Sequence, residues 1–105
     1  MPDSNTSGAD LMKTVLEPLL EDFQYWFVRS RDFLETEKLS FMDEQAQSEL
    51  LSRVKQAQEE LSAAMMLFNA TEGQVGIDMT TLMPWHQLVT ECWNVAARFR
   101  SQQAA

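Results

Sequence analysis

The chain has 105 residues, of which 45% are hydrophobic and 23% are charged. This length fits a single domain, and the composition is that of a folded chain rather than a disordered one. Sixteen acidic and eight basic residues give a net charge of −8. Because such a charge repels phosphate backbones and anionic lipid surfaces, we expect neither a nucleic acid nor a bare membrane surface as partner.

The pattern of turn residues and apolar runs indicates the structural class. Three glycines and three prolines are too few for the turns of a β-sandwich or barrel, and no segment shows sustained alternation between turn signals. The predicted class is therefore all-α. The sequence contains no secretory leader, no apolar run that approaches a membrane span, and a single cysteine. We expect a cytoplasmic protein without direct membrane insertion.

The first predicted helix is long and amphipathic. It follows a polar segment, residues 1–9, which we expect to be a disordered N-terminal arm. From Asp10 onward, apolar residues recur at spacings of three and four. They are Met12, Leu16, Leu19, Phe23, Trp26 and Phe33, with Ser30 at the position between the last two, flanked by Leu20, Phe27 and Leu34. Pro18 predicts either a kink or a fresh start at Glu17, and the unbroken pattern favours the kink.

Two more helices follow. Asp43 is the predicted N-cap of the second, which continues to about Ala70 and stops at Gly73. Its expected core positions are Leu50, Val54, Ala57, Leu61, Ala64 or Met65, and Phe68. Thr80 or Thr81 is expected to cap the third helix, with Pro84 in its first turn. Its expected buried residues, before an end near Arg100 and a flexible tail over 101–105, are Trp85, Leu88, Val89, Cys92, Trp93, Ala96 and Phe99.

Three helices over residues 10–100 pack most simply as an up-down-up antiparallel bundle. The first two helices are expected to be about 40 Å long and the third about 30 Å. The apolar length left uncovered by the third helix would be covered by the connector at residues 75–79, by a second copy of the chain, or by a partner.

The sequence offers little that could carry catalysis. His86 is the single histidine, and no HxxxH, ExxH or CxxC pattern occurs. Cys92 lies about 120° around the helix from His86, so the two do not share a face. Because Leu88 and Val89 flank it on the apolar side, we expect Cys92 to be a buried, inert thiol and His86 to be structural or on the surface. We expect no catalytic residue, no metal, no cofactor and no enzymatic activity.

The segment FQYWF, residues 23–27, carries more bulky side chains than one core can bury. Tyr25 is the expected surplus, close to Arg29 and Arg31. Since tyrosine, tryptophan and arginine are enriched at binding hot spots, these three residues are the candidate partner-binding site. The alternative interpretation is an isolated surface tyrosine with both arginines paired to Asp32 or Glu35.

Two stretches carry a family resemblance: LEPLLEDFQYWFVRSRDFLE at residues 16–35 and TLMPWHQLVTECWNVAARFR at residues 81–100. They resemble a small cyanobacterial family known only as a domain of unknown function, and the resemblance covers most of residues 10–100. It implies a photosynthetic bacterial cytosol and a link to the machinery found there. It supplies no catalytic or binding residue.

Two functions follow as hypotheses. The first is a non-enzymatic interaction module that binds an unidentified protein partner, or itself, through the Tyr25 to Arg31 region and the end that the third helix leaves uncovered. The second is a bundle that binds a small ligand or pigment in a pocket lined by Trp26, Trp93, Met65 and His86.

Overall fold

The protein is a bundle of three helices. The computed structural model describes residues 8–73 and 77–104. Helix α1 covers Gly8–Thr36, α2 covers Glu44–Ala70 and α3 covers Met79–Ala104. None of these helices has an apolar stretch long enough to cross a membrane. The predicted all-α class is confirmed.

Contacts between the helices establish their directions. Three ring contacts join α1 to α3, and their residue numbers increase in the same order along both helices: Phe23–Trp85, Trp26–Trp93 and Phe33–Phe99. Two polar contacts between α2 and α3 run in opposite order: Arg53–Glu91 and Trp85–Glu60. Helices α1 and α3 are therefore parallel, α2 is antiparallel to α3, and the up-down-up arrangement is confirmed.

The helix ends differ from the prediction in three places. Helix α1 begins at Gly8, so the last two residues assigned to the arm are helical, and residues 1–7 lie outside the described residues. It passes through Pro18 as one helix, without the fresh start at Glu17. Helix α3 continues to Ala104, where Ser40 donates a hydrogen bond to Gln102 at 3.1 Å. The expected short third helix is wrong, because α3 has 26 residues against 27 in α2.

Helix α3 is capped by Asp78 rather than by a threonine. The Thr81 backbone N–H donates to the Asp78 carboxylate at 3.2 Å, and the Thr80 hydroxyl donates to the same oxygen. These hydrogen bonds lower the pKa of Asp78 because they favour its charged form. The carboxylate satisfies free N–H groups of the first turn, so the helix starts earlier than predicted and Pro84 lies beyond its first turn.

Helix α2 begins and ends near the predicted positions. Asp43 is its N-cap and accepts a hydrogen bond from the Ala46 backbone N–H at 2.7 Å. At its end, the Gly73 N–H bonds to the Phe68 carbonyl at 2.8 Å. Both Glu72, at φ 52°, and Gly73, at φ 82°, are left-handed. The predicted stop at Gly73 is confirmed, but a non-glycine residue takes the first left-handed position.

The core lies between the three helices, and α1 makes its most extensive contact with α2. Its most deeply buried large side chains are Leu20, Phe27, Val54, Leu61 and Phe68. The predicted core is confirmed at most positions, and Leu39 and Leu82 join it. It is wrong at Trp93, which is 44% exposed, and at Leu19, which is 36% exposed. Trp93 lies along the seam between α1 and α3, which is open to solvent.

Half-buried polar side chains join the helices. The Gln47 amide donates to the backbone carbonyls of Leu34 and Glu37 at 3.0 and 2.7 Å, which fixes the connection between α1 and α2. Arg53 forms two hydrogen bonds with Glu91, at 2.9 and 2.8 Å, and this pairing raises the pKa of its guanidinium. Both side chains are about half exposed, so the pair contributes at most about 1 kcal/mol.

The left-handed Glu72 gives a stability prediction. A left-handed conformation costs a residue with a Cβ about 1–2 kcal/mol, and a negative charge is unfavourable at the carboxyl end of a helix. We expect Glu72→Gly to raise the free energy of unfolding by about 1 kcal/mol, measured by urea titration followed by circular dichroism. Glu72→Gln removes only the charge, and we expect it to give less than half of the gain. Equal gains from both variants would show that backbone strain contributes nothing.

Candidate binding groove between α1 and α3

The open seam forms a groove of about 610 Å³. Its walls are mostly apolar: Trp26, Phe33 and Ser30 line it from α1, and Cys92, Trp93 and Phe99 line it from α3. Arg29 and Arg100 also line it, together with Leu34, Val95 and Ala96. The volume lies within the about 300–1,000 Å³ that is usual for binding pockets.

Two aromatic pairs cross the seam. The rings of Trp26 and Trp93 lie 5.2 Å apart at an angle of 82°, and those of Phe33 and Phe99 lie 5.2 Å apart at 79°. This edge-to-face geometry is favourable, at about 0.5–1.5 kcal/mol per pair beyond the burial of the rings. Large rings also set a wider helix spacing than small side chains would. The seam is therefore stable without being closed.

Arg29 gives the groove a basic edge. Its guanidinium lies 5.5 Å from the centre of the Tyr25 ring and 5.8 Å from that of Trp26, and it donates to the Tyr25 hydroxyl at 2.8 Å. Arg100 adds a second positive charge. Within residues 8–73 and 77–104, neither arginine forms an ion pair with a carboxylate. This local excess of positive charge lies on a chain of net charge −8.

The structure separates the predicted site residues. Tyr25 and Arg29 are exposed and hydrogen-bonded to each other; Arg29 lines the groove, and Tyr25 lies beside it with its ring 5.1 Å from that of Trp26. Arg31 instead lies beside α2, where it donates to Gln58 at 3.2 Å and forms an ion pair with Glu35 at 3.2 Å. The alternative interpretation, pairing with a nearby carboxylate, therefore describes Arg31 but not Arg29. Partner binding by Tyr25, Arg29 and Arg31 stays a prediction.

The residues of the predicted ligand pocket are only partly brought together. Trp26 and Trp93 line the groove, as predicted. Met65 packs against the core from α2, and His86 is exposed on α3, so neither contributes to the lining. The sequence reasoning missed Phe33 and Arg100 as groove residues. Their spacing of seven from Trp26 and Trp93 places them on the same faces as those tryptophans, and this was the available signal.

The groove continues along α1 as a line of apolar side chains, exposed toward the start of the helix and half-buried at the groove itself. We use the name apolar strip for the set Leu11, Val15, Leu19, Trp26 and Phe33. These residues fall within about 80° of the helix circumference and extend over about 33 Å. Leu11 and Val15 are 61% and 62% exposed. The groove is therefore the deepest part of a longer apolar surface.

The reactive side chains are not assembled for chemistry. Cys92 is buried in the wall of the groove, and burial raises the pKa of its thiol, while a hydrogen bond with Ser30 opposes that effect. The expected buried thiol is confirmed. Across the part of the chain that the structure describes, no group of three or more histidine, cysteine, aspartate and glutamate side chains is placed to hold a metal ion.

Cys92 gives a prediction on thiol reactivity. Because burial disfavours its thiolate, we expect the folded protein at pH 8 to react with a disulfide reagent at least about tenfold more slowly than the unfolded chain does. The rate is measured by absorbance of the released thiolate, with the same protein in 6 M guanidinium as control. Equal rates in both conditions would mean that the groove wall does not shield Cys92.

Comparison with known proteins gives a family but no relative of established function. No curated protein and no solved structure matches the chain. Residues 6–101 match the model of a family described as "Protein of unknown function (DUF2605)". The predicted membership in an uncharacterised family is confirmed, and its cyanobacterial source stays a prediction. Since the match covers most of the sequence, the chain belongs to this family.

Proposed function

We propose that this protein is a non-enzymatic, cytoplasmic interaction module that binds a protein partner through the groove and the apolar strip. The observation that carries the proposal is an open apolar groove, edged by arginines without ion-pair partners among the described residues, on an acidic chain. Large exposed apolar surfaces on small proteins commonly mark binding sites.

The exposed side chains at the groove are those that carry binding energy in interfaces. Tyr25 is 52% exposed. Trp93 is 44% exposed, although its ring packs against that of Trp26. Tyrosine, tryptophan and arginine are the residue types most enriched among binding hot spots. Tyr25 and Arg29 also hold each other in place through their hydrogen bond, which reduces the entropy lost when a partner binds.

The side chains that line the groove indicate what kind of partner would fit it. A segment that fits needs an apolar or aromatic side chain to enter between Trp26 and Phe99, and a carboxylate within reach of Arg29 or Arg100. The strip is about 33 Å long, which suits an α-helix of about 20 residues. Binding of an amphipathic helix in an apolar groove is a recurrent mode of recognition.

A small ligand or pigment is the second candidate. The groove volume of about 610 Å³ and the two tryptophans support it. The position of His86 away from the groove weakens the pigment version, because the one histidine that might hold a metal-bearing pigment does not face it. The acceptable ligand would be an apolar molecule with an anionic group that pairs with an arginine.

Substitution at Trp93 tests the proposed function. We expect Trp93→Glu to abolish binding of one or more proteins recovered with the wild type from native lysate, because the change puts a charge into the apolar groove. The control is Met66→Glu on α2, which introduces the same charge at an exposed methionine away from the groove. Each protein that is lost with the Trp93 variant, once purified, should bind the Met66 variant normally and the Trp93 variant at least about tenfold more weakly.

Equal affinity of both variants for the recovered protein would overturn the proposal. Native mass spectrometry of protein purified from its own cells tests the second candidate. A bound small molecule at near-equal stoichiometry, lost in the Trp93 variant and retained in the Met66 variant, would establish ligand binding in place of protein binding.

A further inference from the structure

We propose that the partner seated on the apolar strip is a second copy of the chain, related by a two-fold axis that passes close to Trp26. This inference rests on the proposed function and names its partner. The observation that carries it is the placement of Asp22 and Arg29. They are seven residues apart, so they share one face of α1, and that face is one edge of the strip.

The charges along this edge are unlike those on the rest of α1. Asp22 is exposed, and no side chain in the described part of the protein forms an ion pair or a hydrogen bond with it. Arg29 is exposed and bonds to the neutral hydroxyl of Tyr25. At 100° per residue, the other carboxylates of α1 with described side chains lie at least about 60° from the strip. They are Glu17, Glu21, Asp32 and Glu35. The strip is therefore apolar, with one acidic and one basic residue at its edge.

An antiparallel pairing satisfies both charges at once. Two α1 helices that cross near Trp26 in opposite directions bring Asp22 of one copy to Arg29 of the other, and the symmetry repeats the pair. The same register places Leu19 opposite Phe33 of the second copy, so apolar residues meet apolar residues. A parallel pairing in register would instead set Asp22 against Asp22 and Arg29 against Arg29, and like charges across an interface are unfavourable.

The dimer is expected to be weak. In this register the two α1 helices overlap over residues 16–36, about 30 Å, so at a spacing of about 10 Å each copy contributes on the order of 300 Å² in projection, and Leu11 and Val15 lie beyond the overlap. Side-chain relief raises the total for two copies toward about 800 Å², which is the size of a weak, transient contact. We therefore expect a dissociation constant on the order of 100 μM, so that both monomer and dimer are populated at high micromolar concentrations.

Charge reversal in the full chain tests this arrangement by sedimentation equilibrium between about 2 and about 500 μM. The wild type should fit a monomer–dimer equilibrium. Asp22→Arg and Arg29→Asp should each weaken the dimer at least about tenfold, because each places two like charges across both symmetric contacts. The double variant Asp22→Arg/Arg29→Asp should return the dissociation constant to within about threefold of wild type, since it exchanges the charges without losing the pair.

The matched control is Glu21→Arg, which makes the same charge change at the neighbouring position, on a different face of α1. It should leave the dissociation constant within about threefold of wild type, with helical circular dichroism retained in all variants. A wild type that stays monomeric throughout, or a dimer that the charge reversals do not weaken, would overturn the second-copy proposal.

Failure of this proposal is distinguishable from failure of the proposed function. A monomeric wild type whose recovered protein partner is still lost through Trp93→Glu would leave the groove as a binding surface for another protein. A dimer with the expected charge pattern, together with a Trp93 variant that dimerises normally, would place the contact on α1 alone and remove the groove from it.

Discussion

The arrangement of this bundle depends on one constraint: the apolar arc of α1 is wider than two neighbouring helices can cover. Apolar residues occupy about half of its circumference, from Leu11 on one side to Leu20 on the other, whereas a helix facing one core needs an arc of about 100°. Helix α2 covers the side with Leu20 and Phe27, which are almost completely buried. Helix α3 covers only part of the opposite side, and the remainder forms the apolar strip.

The position of α3 explains why the remainder stays open. A hydrogen-bonded ion pair between Arg53 and Glu91 links α3 to α2. A hydrogen bond between Ser40 and Gln102 links the end of α3 to the connection after α1. On the α1 side it is held through ring pairs such as Trp26–Trp93. Rings that meet edge to face pack well but take up more width than aliphatic side chains, so contact at the rings leaves a groove beside them. Polar contacts hold α3 on the α2 side and ring pairs hold it on the α1 side. The groove between α1 and α3 is therefore well packed at its rings and still open to solvent.

Much of the fold could be predicted because hydrophobic period and capping are local properties. The spacing of Leu50, Val54 and Leu61 correctly gave the buried face of α2, and Asp43 correctly gave its start. The start of α3 was predicted wrongly because two threonines and an aspartate compete as caps within four residues, and the carboxylate at Asp78 satisfies the first turn.

The groove could be predicted only in part, because the distance between helices depends on all the side chains that meet at the seam. The helical spacing of apolar residues alone placed Trp93 in the predicted core, because it lies on the apolar face of α3. In the structure its ring meets that of Trp26 and stays near the surface. The sequence did identify Tyr25 as a surplus aromatic residue on the surface, with Arg29 close to it. It could not separate Arg31 from them, because the contact of Arg31 with Gln58 joins residues 27 positions apart.

An open seam that binds protein should report binding at its own tryptophans. Trp26 and Trp93 line the groove, and Trp85 is buried in the core, so the three rings give two reporters and one internal control. The most direct measurement is ¹⁹F NMR of the fluorotryptophan-labelled chain over about a hundredfold increase in concentration. Our account predicts that the Trp26 and Trp93 resonances shift together while that of Trp85 stays in place. Unchanged Trp26 and Trp93 resonances in a sample that has become dimeric would contradict it.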